Sequence, residues 1–311
     1  MDLRIPDIAS EMAIVTERAI LDGGGFDLVR RCITQPNLRE KQAKLIISSL
    51  GIEDLDVRSG PDALIAGAEV CRVAGSLAFP YPVVALLARP PSMNARFLAV
   101  VDRQSPWAEH ADLEGPWLVV DLDGIGSWAQ RVGMRTDRSI GPFVERLQLA
   151  EQVSPPGVWD MELVMVLDCC RILGALETAH SLALDHVRSR RQFDRALSKF
   201  QGVQFHIADS AVALRGLRQL TRYTLWRLAQ KEGAMVDVLA LRSYAIEAAN
   251  KILWISQLLH GAIGFCDEHD LSLITRMIQA QLRLPADLAR TTELLSAAID
   301  QHGFDSLFAG S

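Results

Sequence analysis

Arg190-Arg191-Gln192-Phe193-Asp194-Arg195, followed closely by Phe200-Gln201-Gly202-Val203-Gln204, gathers guanidinium, amide and aromatic groups into one short stretch. Such a corner can hold a phosphorylated ligand, because a guanidinium meets phosphate oxygens through two parallel hydrogen bonds. The same arginines also suit a plainer role, a solvated turn that neutralises the carbonyl end of the preceding helix. Both readings need helices on either side. The sequence predicts them, from about Trp159 to Ser189 before the stretch and from about Leu197 to Lys231 after it.

The chain that carries this corner has 311 residues, enough for two domains and a well-buried core. Hydrophobic residues make up 49% and charged residues 23%, an ordinary balance for a soluble globular protein. With 32 basic against 38 acidic residues, no global field favours nucleic acid or an anionic membrane. The opening residues lack a basic-then-apolar signal, and no run has the apolar length of a membrane span. Cys32, Cys71, Cys169, Cys170 and Cys266 form no metal or redox spacing, which fits reduced thiols in a cytoplasmic protein. His180, His186 and His206 share no metal spacing either.

Periodicity predicts helices over Ile8–Ala19, Phe26–Ile33, Leu38–Leu50 and Ala63–Gly75, with Pro82 opening one more up to Ala88. Gly23-Gly24-Gly25 reads as a flexible linker, since no strand precedes it and no lysine follows. From about residue 92 to 155 the pattern changes to short strands. Arg96–Val101, Trp117–Asp121 and Phe143–Leu147 are the candidates, and Asp102, His110, Asp112, Asp121 and Asp123 read mostly as solvated loop residues. After Pro155-Pro156-Gly157 four amphipathic segments follow, at about 159–189, 198–231, 236–263 and 271–300, the last open to a break at Pro285. Asp270 is the expected N-cap of that last segment. Arg215, Arg218, Arg222 and Arg227 lay a basic stripe on the second, while Trp226, Tyr244 and Trp254 read as packing residues. The expected fold is mostly α with a small β segment: an N-terminal helical domain (1–91), a reduced middle β domain (92–155) and a C-terminal four-helix bundle (156–311).

Arg190-Arg191-Gln192-Phe193 at the end of one long helix and Phe200-Gln201-Gly202-Val203-Gln204 opening the next resemble the acyl-CoA dehydrogenase family. Leu258-Leu259-His260-Gly261-Ala262-Ile263-Gly264-Phe265, with Glu268 and Arg276 behind it, resembles that family's second signature. The resemblance implies an FAD enzyme that oxidises the Cα–Cβ bond of an acyl-CoA thioester, with each flavin lying across a subunit interface. It implies that Arg190, Gln192, Phe193 and Gln201, with the backbone at Gly261 and Gly264, contact a partner subunit's FAD.

Several family features are missing. The middle segment lacks the Thr-Glu-Pro and Gly-Ser loop that covers the flavin ring. Counting forward from Gly264 places the usual catalytic glutamate at Pro285, and counting back from Phe193 places the alternative base at Val164. Leu258 stands where a glutamine is usual. Groups serving a subunit's own site are therefore gone, while groups offered to a neighbour remain. That pattern resembles the degenerate subunit of α2β2 acyl-CoA dehydrogenases of bacterial steroid catabolism, with no catalytic residue and no metal of its own. Two other readings stay open: a self-sufficient flavoenzyme whose base has moved to Asp287, Glu162 or Asp168, and a non-catalytic scaffold of the same fold.

Overall fold

The longest apolar segment becomes the longest helix, α6 (Val158–Ser189), and the other elements pack around it. The computed structural model describes residues 4–133, 140–231 and 233–303, so residues 1–3 of the leader reading and 304–311 of the bundle lie outside the described residues. Before α6 come α1 (Asp7–Asp22), α2 (Gly25–Thr34), a π-helical turn (Arg39–Ala43), α3 (Lys44–Ser49), α4 (Pro61–Ser76) and α5 (Val83–Leu87). The three glycines between α1 and α2 make a tight corner and not a flexible linker. Gly24 sits at φ 113°, and a Cβ on Gly23 would meet Ile46 Cδ1 at 2.3 Å.

A five-stranded sheet follows, β1 (Phe97–Val101), β2 (Trp107–Glu109), β3 (Trp117–Asp121), β4 (Gly126–Arg131) and β5 (Val144–Gln152), in the order β1-β3-β4-β5-β2. β1 and β3 run parallel and the other pairs antiparallel. β2 and β4 escape sequence reading because the first is three residues long and the second is largely polar. Two aspartates expected in solvent are structural. Asp121 is buried and accepts the backbone N–H groups of Asp123 and Ile125, and Asp112 pairs with buried Arg39.

The C-terminal bundle is built from α6, α7 (Gln201–Ala229), α8 (Met235–His260) and α11 (Leu288–His302). The fourth predicted segment is in fact three helices, α9 (Asp270–Met277), α10 (Gln279–Arg283) and α11. The chain leaves the helix at Leu284, as the proline that follows requires. The N-cap of α9 is His269, whose Nδ1 accepts the Leu271 N–H at 3.1 Å. Asp270 lies one residue inside, drawn instead to Arg30 at 2.6 Å. The basic stripe of α7 is not one solvated face, since Arg227 pairs with buried Asp237 at 3.0 Å and Arg218 with Glu177 at 2.8 Å.

α4 and α6 cross at backbone contact. A Cβ on Gly75 would lie 1.9 Å from the Arg171 carbonyl oxygen, and one on Gly174 1.8 Å from that of Arg72. Thr178 Oγ1 donates to Ser76 O at 2.8 Å across the same crossing, and Arg72 pairs with Glu177. Only glycine permits this approach. Gly174→Ala should therefore force the helices apart and cost about 2 kcal/mol or more. A lowered urea midpoint would show it, with Gly202→Ala, where a Cβ meets nothing within 4 Å, as the unaffected control.

Candidate functional site

β2 ends on Glu109, and this strand edge faces the middle of α6 across the seam between sheet and bundle. Glu109 accepts both terminal nitrogens of Arg171, at 2.6 and 3.0 Å, and a further hydrogen bond from the Gln281 side-chain amide of α10. The next residue, His110, has φ 60° and is fully buried. Its Nδ1 lies 3.1 Å from Arg39 Nη1, and a guanidinium can only donate, so Nδ1 accepts and Nε2 carries the proton. Burial and the neighbouring Arg39 and Arg171 push this imidazole well below its usual range, which agrees with a neutral ring. Phe143 stacks on His110 and also lies under the Arg39 guanidinium at 3.9 Å. Arg39 in turn binds Asp112.

Glu109, His110, Arg171 and Gln281 wall a cavity of about 60 Å³, and both Val164 and Pro285 line it. The two positions to which family counting assigns a base thus face the same space, from α6 and from the turn before α11. Ligand pockets run to about 300–1,000 Å³. This one, with Glu109, Arg171 and Gln281 on its walls, is several times smaller. Among the relocated-base candidates only Asp168 lines it. Asp287 is the N-cap of α11, accepting the Arg290 N–H at 2.9 Å, and Glu162 accepts the Ala234 N–H at 2.9 Å before α8. Asp168 has no hydrogen-bond or ion-pair partner among the described residues. Burial, opposed by Arg171 and helped by Glu109, pushes it up to about 6.

The phosphate-binding candidates lie away from this seam. After α6 the chain turns through a two-residue hairpin, β6 (Arg191–Gln192) and β7 (Arg195–Ala196), with Phe193 at φ 51° and Asp194 at φ 61°. Positive φ suits the twist of a two-residue turn but is strained for phenylalanine. Phe193 is also 85% exposed. Arg191 Nη2 donates to Asp194 O at 2.9 Å, and Arg195 lies over Phe200 at 3.9 Å, so these two arginines brace the hairpin. Arg190, Gln192 and Gln201 are exposed, and Arg190 has no side-chain partner among the described residues. Gly261 is exposed at φ 63° with nothing within 4 Å of its Cβ position. Gly264 differs. It is buried, and a Cβ there would lie 2.9 Å from His260 Cβ, so packing demands this glycine.

His260 ties the two signatures together. Its ring stacks on His186 of α6, with centroids 4.5 Å apart, and meets His269 edge-on at 4.8 Å. Its Nδ1 donates to Ser256 O at 2.7 Å. No group of three or more His, Cys, Asp or Glu among the described residues has the geometry to hold a metal. Nor is any described helix long and apolar enough to cross a membrane.

Sequence reasoning missed the seam network of Arg39, Glu109, His110, Asp112, Arg171 and Gln281. One signal was legible: Arg171 interrupts Leu167-Asp168-Cys169-Cys170-Arg171-Ile172-Leu173, and a guanidinium within an apolar run needs a buried partner.

Comparison with known proteins agrees with this layout. Residues 166–282 match the family described as acyl-CoA dehydrogenase, C-terminal domain. Acyl-CoA dehydrogenase FadE27 of Mycobacterium tuberculosis is 30% identical over 105 residues, 31% of this chain and 28% of that protein. The pig mitochondrial short-chain specific acyl-CoA dehydrogenase is 28% identical over 157 residues, 46% of this chain and 37% of that protein. The chain therefore matches well under half the length of these relatives. In three dimensions it is similar to a chain of the ChsE4-ChsE5 complex from Mycobacterium tuberculosis, with TM-score 0.77 at 16% identity over 97% of this chain and 98% of that one. A Tcur3481-Tcur3483 steroid ACAD variant gives TM-score 0.74 at 16% identity over 96% and 99%.

Two outcomes follow from the seam. Arg171→Met leaves Glu109 buried without its cation and should lower stability by about 3–5 kcal/mol in denaturant unfolding. Asp168 binds its proton more tightly folded than unfolded. The chain thus loses stability as pH rises from the ordinary carboxylate range through about 6. Asp168→Asn should remove that loss, so its advantage over the parent in thermal melting should be larger at pH 7.5 than at pH 4.

Proposed function

From a chain that carries an acyl-CoA dehydrogenase C-terminal domain within the fold of that family, we propose a subunit of a hetero-oligomeric, FAD-dependent acyl-CoA dehydrogenase that supplies half of a partner's flavin site and no base. One observation carries this reading. The space that would serve the chain's own site is filled by Glu109, Arg171 and Gln281, while the arginine hairpin projects into solvent with Arg190 uncommitted.

In this reading Arg190, Gln192, Phe193 and Gln201 would contact FAD bound by the partner, the guanidinium and amides as hydrogen-bond donors and the ring as apolar cover. The open backbone at Gly261 allows close approach, and Gly264 shapes the turn behind it. FAD, where bound, accepts the two electrons of α,β-desaturation. The role of this chain is to bind and orient it and to shield it from water. The turn that holds Phe193 at positive φ aims an apolar ring outward at a cost of about 1–3 kcal/mol, which fits a role in contact with another molecule.

A partner surface lies beside the hairpin. Phe205 and Val212 of α7 and Trp254 and Leu258 of α8 are exposed, and Ile263 and Phe265 extend them past the Gly261 turn. His206 meets Trp254 edge-on, which joins the α7 and α8 faces. Large exposed apolar surface of this kind marks an association site. The partner we propose is a second acyl-CoA dehydrogenase-like subunit that brings its own base, and the substrate is an acyl-CoA. The steroid ACAD among the structural neighbours supports a bulky, steroid-like acyl group.

The test is the visible spectrum of the chain purified alone and with its partner subunit. Flavin absorbance is expected only in the complex, and Arg190→Ala should weaken FAD retention there by about tenfold or more. A flavin-loaded preparation of this chain alone would overturn the reading.

A further inference from the structure

Two cavities among the described residues share no lining residue with the seam cavity or the hairpin, and the flavin reading makes no use of them. One, of about 480 Å³, opens between the start of α1, the start of α4 and the last turns of α7. A second, of about 310 Å³, runs on between α4, α6 and α7. The two share Ile5, Glu69, Arg222 and Leu225 and so form one groove with Arg222 at its middle. Its size is that of a small-molecule site.

Pairing separates Arg222 from the other cations of this region. Arg72 is held by Glu69 and Glu177, and Arg218 by Glu177, with distances of 2.8 Å. Arg227 is committed to Asp237. Arg222 is half-buried and has no hydrogen bond, ion pair or ring contact among the described residues. The acidic side chains at the groove's wider end, Asp7 and Asp62, each stand in the first turn of a helix with no side-chain cap, where the helix dipole already balances a negative charge. The wall on the wider side of Arg222 is apolar, with Ile65, Leu225 and Trp226, whereas in the second cavity Ala68 and Leu173 stand among the mutually paired charges of Glu69, Arg72, Glu177 and Arg218.

We propose that this groove binds an amphipathic anion, with an apolar body against Ile65, Leu225 and Trp226 in the wider cavity and a carboxylate or phosphate head on Arg222. Binding here neither requires nor supplies a flavin, so the proposal stands or falls apart from the function proposed above. A planar guanidinium in partly desolvated surroundings suits either head group, and the apolar walls contribute in proportion to the chain they cover.

Isothermal titration of the full chain with decanoate, decyl phosphate and decanol is the experiment. The two anions, or one of them, should bind, and decanol should bind at least tenfold more weakly. Which anion binds better identifies the head. Arg222→Met should weaken anion binding by about tenfold to a hundredfold, with Arg222→Lys in between. The melting temperature of Arg222→Met should stay close to the parent's, because Arg222 has no bonded partner among the described residues. Ala229→Trp, at the lip of the wider cavity, should block all ligands. Absence of binding by both anions, equal binding of decanol, or full affinity in Arg222→Met would each overturn the proposal.

Discussion

Two glycines set the geometry on which this molecule depends. Gly75 and Gly174 let α4 and α6 touch backbone to backbone, each Cα against the other helix's carbonyl. Helices normally stand 8–10 Å apart with side chains between them, and this pair comes to the near limit. The contact fixes more than a distance. The carbonyl that presses on Gly75 belongs to Arg171, so the crossing that joins the N-terminal helices to the bundle also fixes where the Arg171 guanidinium enters the seam. Sheet, N-terminal helices and bundle meet at this residue. Its neighbours Cys169, Cys170 and Ile172 are buried apolar groups that give the arginine no freedom to turn away.

The seam is held together by charge and not by apolar packing. Arg39 with Asp112 and Arg171 with Glu109 place two ion pairs in a region where either partner alone would be costly. A hydrogen bond from Gln281 adds to what Arg171 gives Glu109, and Phe143 packs against the His110 ring. Among the described residues His110 Nε2 and Gln281 Oε1 have no hydrogen-bond partner, and the cavity of about 60 Å³ beside them has room for ordered water to satisfy both. Buried pairs of this kind contribute little net stability compared with a well-packed apolar core. Their geometric demands are strict, however, and they hold β2, α6 and α10 in one register.

Long helices were legible in the sequence because their apolar period runs over many turns, and α6, α7 and α8 lie within a few residues of where periodicity puts them. Short elements were not. Trp107-Ala108-Glu109 offers one alternation, too little to distinguish a strand from a loop, yet its last residue anchors the seam. Asp270 looked like a cap because aspartate favours that position. His269 took the role once Arg30, 240 positions away, had claimed the aspartate. The stripe on α7 carried the same ambiguity. Spacing puts Arg218, Arg222 and Arg227 on one helix, but only the folded chain shows that Glu177 and Asp237 hold two of them and leave the third. Local sequence reports period and propensity, whereas the pairing of charges is decided by residues far apart in the chain.

The arginine hairpin and the seam place opposite demands on the same residue type. At the seam, arginines are buried and fully spoken for. At the hairpin, Arg191 and Arg195 are used locally, to brace a turn that holds Phe193 where an L-residue is strained, and Arg190 is left open. A chain with no further use for that corner gains by relaxing it, since a glycine at position 193 would relieve the strain and remove an exposed ring. The strained, exposed phenylalanine is a cost to the isolated chain, whereas the solvated arginine beside it costs nothing and stays available. In the proposed assembly the partner subunit would cover this ring, and it would rest on the exposed α7–α8 side chains Phe205, Val212, Trp254 and Leu258.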